Sequence, residues 1–450
     1  MTTQCTGRQL TLQGIEKRKI VIDNNASVNS SDGGLLLLGK LEKRFGIIRR
    51  LSECFTDSRQ HYRVRHDLKS LLSQRIFGIV QGYEDINDHE ELRKDPLMQY
   101  VCSGKQETVA GKSTLNRLEL GKEIGGDEGN RYSKISWNDR KIEDLFCQVF
   151  LESFQTPPRN IILDFDATDI PLHGDQESKF FHGYYDHYCY LPLYVFSGEH
   201  LLAARLRPSK IDGCAGTEEI LKGLVKKIRT RFPKVRIIFR GDSGFCRESI
   251  LKCCEDLQIH YVVGLAKNPR LLEVIEPQKQ AAEELHREKD KASRVFTRFS
   301  YRTKKSWSRK RDVVAKAEHL QKGSNPRFVV TNVNTLGDKG LYEKLYCGRG
   351  NMENRIKDQQ LDLFATRTST AWMSSNQLRL WFSAVAYVFF LLLKRFIPAN
   401  SPFRKHLPST LRLKLFKVAA AVRVSVRRIS ISLPKSFPYW DIWCRIATTV

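Results

Sequence analysis

Cysteine pairs at bridging or metal-binding spacings are missing from this chain. Its eleven cysteines run from Cys5 to Cys444, odd in number and without a single C-x-x-C pair. Cys253 and Cys254 are adjacent, and Cys246 stands seven residues before Cys253 with no histidines at matching spacing, so the usual zinc ligand patterns are unmet. Reduced thiols and a cytoplasmic protein without a secretory leader are expected. Long apolar runs are scarce as well. The one candidate, Leu380 to Leu393, is 14 residues long and is followed by Lys394 and Arg395. A bilayer span takes roughly 20 residues, so a buried helix and no membrane partner are expected. Acid is in short supply too. Fifty Asp and Glu face 75 Lys and Arg, a net charge of +25. A surplus of that size calls for a polyanionic partner, and nucleic acid is the commonest.

Two familiar nucleotide and recombination signatures fail on inspection. Gly111-Lys112-Ser113-Thr114 matches the end of a phosphate-binding loop, but Gln106 stands where its first glycine belongs. No nucleophilic Tyr with an Arg-His-Arg set is evident, which speaks against a tyrosine recombinase. His173, His182 and His187 lie near an acidic cluster, and His187 falls in the aromatic stretch Tyr184-Tyr185-Asp186-His187-Tyr188. Packing is the expected role there.

What is present is enough for a folded protein of more than one unit. The chain has 450 residues, 41% of them hydrophobic and 10% aromatic. Residues 1–150 read as mostly helical. Leu68, Leu71, Leu72, Ile76, Ile79 and Val80 recur at helical steps after Asp67, a plausible cap. Leu35 to Leu41 follows an Asp32-Gly33-Gly34 turn. A third helix starts near Ser113, with Leu115 and Leu118 inward and Asn116, Arg117 and Glu119 outward. Short helices with polar faces suit DNA grooves, and Arg117 is a candidate contact; an ordinary helical region for oligomerisation fits equally.

From about residue 155 to 270 the pattern turns to strands. Asn160 to Phe165 is an apolar strand ending in acids. Tyr190 to Phe196 and His200 to Leu206 flank Ser197-Gly198-Glu199 as a hairpin. A helix capped by Thr217, a strand Arg236 to Phe239, a helix Arg247 to Leu257 and a strand Tyr261 to Leu265 follow. This order resembles the ribonuclease-H-like α/β fold, in which acids at neighbouring strand ends converge on metal. Residues 271–340 break the rhythm as a basic, β-rich insertion. Within it Lys291 to Lys316 carries ten basic residues and one acid, interleaved with Val295, Phe296, Phe299, Tyr301 and Trp307. Arg302, Lys304 and Lys305 are candidate DNA contacts there. Residues 341–396 complete the core, and 397–450 form a basic C-terminal region. Lys394 to Lys435 has eleven positive residues and no acid.

Phosphodiester chemistry needs a charged in-line transition state stabilised and a hydroxyl activated. Two divalent ions held by carboxylates do both. Three acid clusters offer such ligands. In Asp164-Phe165-Asp166-Ala167-Thr168-Asp169, alternation puts Ile162, Asp164 and Asp166 on one strand face. Asp166, nearest the strand exit, is the candidate ligand, with Asp164 in reserve. Asp242 follows an apolar strand in Arg240-Gly241-Asp242-Ser243-Gly244. Glu353 shares a spacing of three, four, four and three with Tyr346, Arg349, Lys357 and Gln360, one face of a helix.

Together these motifs resemble the DDE transposases of bacterial insertion sequences, in particular the group with a β-rich insertion before the catalytic glutamate. Asp166-Ala167-Thr168, Asp242 and Tyr346/Arg349/Glu353 match that group's elements, over residues 10 to about 395. The 110 residues between Asp242 and Glu353 suit the insertion. The last position of the Tyr-Arg-Glu-Lys signature departs: Gln360 stands there, and Lys357, one turn earlier, is the substitute. The resemblance implies two Mg²⁺ ions (Mn²⁺ as an acceptable substitute) on Asp166, Asp242 and Glu353. It implies DNA contacts by Tyr346, Arg349 and Lys357, transposon terminal inverted repeats and target DNA as substrates, a homodimer in the active complex, and work at the bacterial nucleoid. Water first nicks a transposon end; the freed 3′-hydroxyl then attacks target DNA. A metal-dependent endonuclease of the same fold, or an inactive DNA-binding derivative, are the alternatives.

Overall fold

A computed structural model describes residues 10–12, 20–22, 28–104, 107–123 and 134–450. Cys5 and Gln106 lie outside the described residues; the ten described cysteines are all free thiols, as expected. The chain divides into two units. One comprises residues 1–52, 57–118 and 392–450; the other comprises 53–56 and 119–391. The chain's two ends therefore share a unit, and residues 397–450 do not form a region of their own.

In the first unit the helices lie where the apolar spacing placed them. Leu68–Gln81 opens on Asp67, whose carboxylate accepts from the Ser70 amide at 2.6 Å. Leu35–Phe45 follows the double glycine. Gly34 is needed for close approach: a Cβ there would sit 2.2 Å from the Phe416 Cα, and the Gly34 amide donates to the Phe416 carbonyl at 3.0 Å. Gly33 likewise donates to the Val418 carbonyl at 2.8 Å. Asp32, buried beneath this turn, accepts from Tyr83 and from Lys417, each at 2.7 Å. A small sheet joins Asn29–Ser30 to the hairpin Ala420–Val424/Ile429–Ser432. The Gly-Lys-Ser-Thr segment opens helix Lys112–Glu119, and the Lys112 amide donates to the Glu90 carboxylate at 2.8 Å. A carboxylate thus takes the place a phosphate would need.

The second unit is built on a mixed nine-stranded sheet. In chain order its strands are β1 (Asn160–Ala167), β2 (Leu193–Ser197), β3 (His200–Arg205), β4 (Arg236–Gly241), β5 (His260–Leu265), β6 (Ser293–Tyr301), β7 (Arg311–Leu320), β8 (Gly323–Ser324) and β9 (Arg327–Thr331). The spatial order is β3-β2-β1-β4-β5-β9-β7-β6, with β8 beside β7. Strands β1, β4 and β5 run parallel, while the remaining neighbours are antiparallel. On one face Ile161, Leu163 and Phe165 of β1 join Ile237 and Phe239 of β4 in the main core. Helices α1 (Asp139–Leu151), α2 (Thr217–Arg231), α3 (Glu248–Asp256) and α4 (Glu276–Lys289) cover that face through Phe150, Leu221, Leu251 and Ala282. On the other face Ile238, Val262, Val314 and Val329 pack with Leu341, Tyr342 and Leu345. Burial on both faces explains why β4 and β5 read as nearly unbroken apolar runs.

Several expectations need correction. Residues 271–340, read as a β-rich insertion, hold helix α4 as well as strands β6 to β9, and β9 joins those strands to the main sheet through β5. Their aromatics face the protein. Tyr301 and Trp307 are buried in the main core, and Phe296 packs against the opposite one. Glu119, expected outward, is fully buried and accepts from Arg379 Nε at 2.6 Å. Gly216, not Thr217, precedes the first turn of α2. The apolar run from Leu380 falls in helix Met373–Phe396, long and apolar enough to cross a membrane but 94% buried.

Candidate active site

Strand pairing puts the first two acids side by side. β1 and β4 are parallel neighbours with Asp164 opposite Arg240. Carrying that register two residues further brings Asp242, just past β4, level with Asp166 at the exit of β1. Asp242 Oδ1 accepts from the Gly244 amide at 2.8 Å, which fixes the turn after the strand. Asp166 Oδ1 accepts from the Ala167 amide at 3.1 Å.

The third acid comes from a helical run over residues 341–362 that changes pitch three times. Leu341–Tyr346 is π-helical, Cys347–Arg349 a 3₁₀ turn, Gly350–Lys357 α-helical and Asp358–Asp362 π-helical again. Such departures from α geometry often mark functional sites. Arg349 is the hinge of the cluster: Nη1 lies 3.3 Å from Asp166 Oδ2, and Nη2 donates to Glu353 Oε1 at 2.7 Å. Tyr346 reaches the other acid. A Cβ on Gly264 of β5 would lie 2.6 Å from the Tyr346 hydroxyl and 3.2 Å from the Asp242 carbonyl carbon, so only glycine leaves room. The spacing argument missed Gly264 because its necessity arises from elements remote in sequence, Tyr346 and the Asp242–Ser243 backbone.

Asp164, the reserve ligand, is differently engaged. Its Oδ2 accepts from Arg240 Nη2 at 2.7 Å and its Oδ1 from Nε, while Nη1 donates to the Leu345 carbonyl. Both residues are buried. The pair therefore ties β1 and β4 to the helical run just before Tyr346, a structural role rather than an open ligand position. Arg240 could have been found in the sequence, since a charge on an otherwise apolar strand demands a partner.

The electrostatics mark Asp166. Burial first, then the charges of Asp242 and Glu353, push its carboxyl up to about 7, with Arg349 pulling the other way. Three carboxylates against one guanidinium leave a deficit of positive charge. All three offer hard oxygen donors of the kind magnesium and manganese take. The residues thus fit a divalent ion by charge and donor type. Among the described residues no three acid, histidine or cysteine side chains stand as a ready ligand set. Arg349 occupies the gap between Asp166 and Glu353 instead.

The remaining candidates are placed as follows. Lys357 is exposed at the end of the α-helical stretch, and Gln360 donates to the Asp169 carbonyl at 3.3 Å. Arg302, Lys304 and Lys305 are exposed in the β6–β7 loop, and Arg117 is exposed on its helix in the other unit. Within β6 and β7 most basic groups are already paired: Arg294 and Lys316 with Glu318, Arg298 with Asp338, and Arg311 with Glu248 and Glu255. His187, expected to pack, lies against the Tyr185 ring at 6.1 Å and also stands 2.8 Å from the Asp169 carboxylate through Nε2. Neither residue was singled out as a pair, for want of any local spacing signal.

A mixed α/β sheet thus ends two adjoining parallel strands in Asp166 and Asp242, and Arg349 links Asp166 to Glu353 on the helical run. A family match over most of the chain gives the class, that of the DDE transposases. The match is direct: residues 12–450 fit the family described as transposase DDE domain group 1, and the chain belongs to that family. The match runs beyond the 10 to 395 that the motifs suggested. DDE transposases generally use divalent metal ions and act on DNA. No curated protein matches the chain.

Proposed function

We propose that this protein cleaves the ends of an insertion sequence and transfers the freed 3′-hydroxyl strand to target DNA. The observation that carries the reading is Asp166, half-buried and subject to the charges of Asp242 and Glu353, with Arg349 bridging it to Glu353. Asp166, Asp242 and Glu353 would hold two magnesium ions. When bound, these supply the charge stabilisation that in-line phosphoryl transfer requires. The strand order, three antiparallel strands followed by parallel β4 and β5, supports a ribonuclease-H-like core.

The chain's own groups would do the positioning. Arg349 can exchange its carboxylate partners for a strand phosphate, since a guanidinium binds either in the same fork geometry. Tyr346 presents its hydroxyl beside Asp242, and Lys357 lies exposed farther along the run. Lys304 and Lys305, with Arg302, offer a phosphate-binding edge on the β6–β7 loop, and Arg117 offers another contact on the end-derived unit. Joining two ends implies a homodimer in the active complex.

The test mixes purified protein, Mg²⁺ and DNA carrying the flanking element's ends. Wild type is expected to nick and join. Asp242→Ala is expected to bind the same DNA and do neither; cleavage by that variant would remove Asp242 from the site. Supplying a pre-nicked end separates transposition from endonuclease action, since only a transposase joins it to a second duplex.

A further inference from the structure

We infer that the hairpin Ala420–Val424/Ile429–Ser432 is a β-ribbon that enters the major groove of duplex DNA. This rests on the reading of the chain as a transposase and adds a DNA-binding element to which none of the three acids belongs. Of the eleven cations in the acid-free zone from Lys394 to Lys435, Arg423, Arg427 and Arg428 fall on this hairpin and its turn. All three are exposed, and no carboxylate partner is seen for them among the described residues. Cross-strand register sorts the strands into two faces. Arg423 lies opposite Ser430 and Ala421 opposite Ser432 on one; Val424 lies opposite Ile429 and Val422 opposite Ile431 on the other. The base is anchored, because Ala420 and Ala421 pair with Ser30 and Asn29 and the Val422 amide donates to the Val28 carbonyl at 2.9 Å. Val422 itself is buried. Farther out the side chains are bare: Val424 and Ile429 are 47% and 37% exposed, and Val426 in the turn is fully so. The Ser425 amide donates to the Arg428 carbonyl at 2.9 Å, and the Ser425 hydroxyl accepts from the Arg428 amide at 3.2 Å, so the tip has a defined shape.

Charge and shape select the occupant. A two-stranded ribbon is marginally stable alone in water, and clustered apolar side chains left bare on one mark a binding surface. A major groove about 12 Å wide and 8.5 Å deep admits such a ribbon. Two more strand residues and the turn carry the tip roughly 10 Å past the Val28 tie, which is enough to reach the groove floor. The guanidiniums and the Ser430 and Ser432 hydroxyls match phosphate oxygens and base edges, while valine and isoleucine match thymine methyl groups. A second copy of this chain paired along the ribbon would set the same three guanidiniums against each other, with no acid between Lys394 and Lys435 to offset them.

The experiment follows binding of a fluorescent duplex carrying the element's ends to the full chain, without added metal so that no strand is cut. Arg427→Gln/Arg428→Gln is expected to bind about tenfold more weakly, with the slope of log affinity against log salt shallower by about two. Arg427→Lys/Arg428→Lys, which keeps both charges, is expected to retain the wild-type slope. Dimethyl sulfate reports on the groove, because guanine N7 lies on the major-groove edge. Wild type is expected to protect guanines in the bound duplex, and the Gln variant at saturating protein is expected to leave them reactive. Unchanged affinity and slope in the Gln variant would overturn the proposal, as would guanine protection that the substitutions do not alter. So would sedimentation showing that they change the oligomeric state while duplex binding persists. Asp242→Ala keeps all three arginines and is expected to give wild-type affinity and protection, so its cleavage assay reports on the catalytic reading alone.

Discussion

Asp164 and Arg240 stand opposite each other on adjacent parallel strands and form a buried two-pronged ion pair. Removing one partner leaves the other charge buried and uncompensated, which costs about 3–5 kcal/mol. Arg240→Met should therefore lower unfolding stability by that order in urea titrations. Asp164→Leu/Arg240→Met together should recover much of it. Equal stability of the single and double variants would show that the pair does not hold the strands.

The three acids repel one another, with Arg349 as the shared counter-charge. Asp242→Asn removes one repelling charge, so without metal it should melt at or slightly above the wild-type temperature. Adding Mg²⁺ should raise the wild-type midpoint and leave the variant nearly unmoved. Thermal melts with and without the ion check both halves. An equal Mg²⁺ response in the two proteins would place the metal elsewhere.

Lys304 and Lys305 are exposed on the β6–β7 loop, and no partner is seen for either among the described residues. If they contact phosphates, replacing each with Gln should reduce the slope of log affinity against log salt by about one. Binding should weaken alike for specific and unrelated duplexes. A slope unchanged in the double variant would take the loop off the DNA path.

Arg311 accounts for an acid-sensitive point of the fold. It donates to Glu248 and to Glu255, at 2.7 and 2.8 Å. Burial would raise both carboxyls, but Arg311, helped by Ser308 at Glu248 and by Arg309 and Tyr261 at Glu255, more than reverses it, so both lie below their ordinary value of 4.5. The folded state thus takes up these protons less readily than the unfolded one. Their contribution is complete above about pH 4.5 and fades as pH falls through the lower folded values. Glu255→Gln should show a shallower loss of stability between pH 5 and 3, about the window in which carboxylates titrate. Urea unfolding at stepped pH reads this directly, and parallel curves would refute it.

Much of this was legible in the sequence, because local rules governed it. The Asp67 cap, the alternation of Ile161 to Asp166 and the acids closing two apolar strands all follow from backbone periodicity and turn chemistry. The rest required partners far along the chain. Glu119 looks like a surface residue until Arg379, 260 positions later, is brought beside it. Tyr301 and Trp307 resembled a stacking stretch because burial by α3 and α4 cannot be seen from spacing. Conversely, nothing in the spacing around His187 shows that its neighbours Tyr184 and Tyr188 are exposed. The even helical spacing from Tyr346 to Gln360 also concealed three changes of pitch, which alter where each side chain points.

The contact between Gly33-Gly34 and residues 416–418 has a consequence for biosynthesis. That seam can close only once residues 416–418 have left the ribosome, so the unit bearing Arg117 stays open long after Gly33 and Gly34 are made. Premature termination upstream of Phe416 would strip this unit of its closing strand however faithfully the preceding residues were translated.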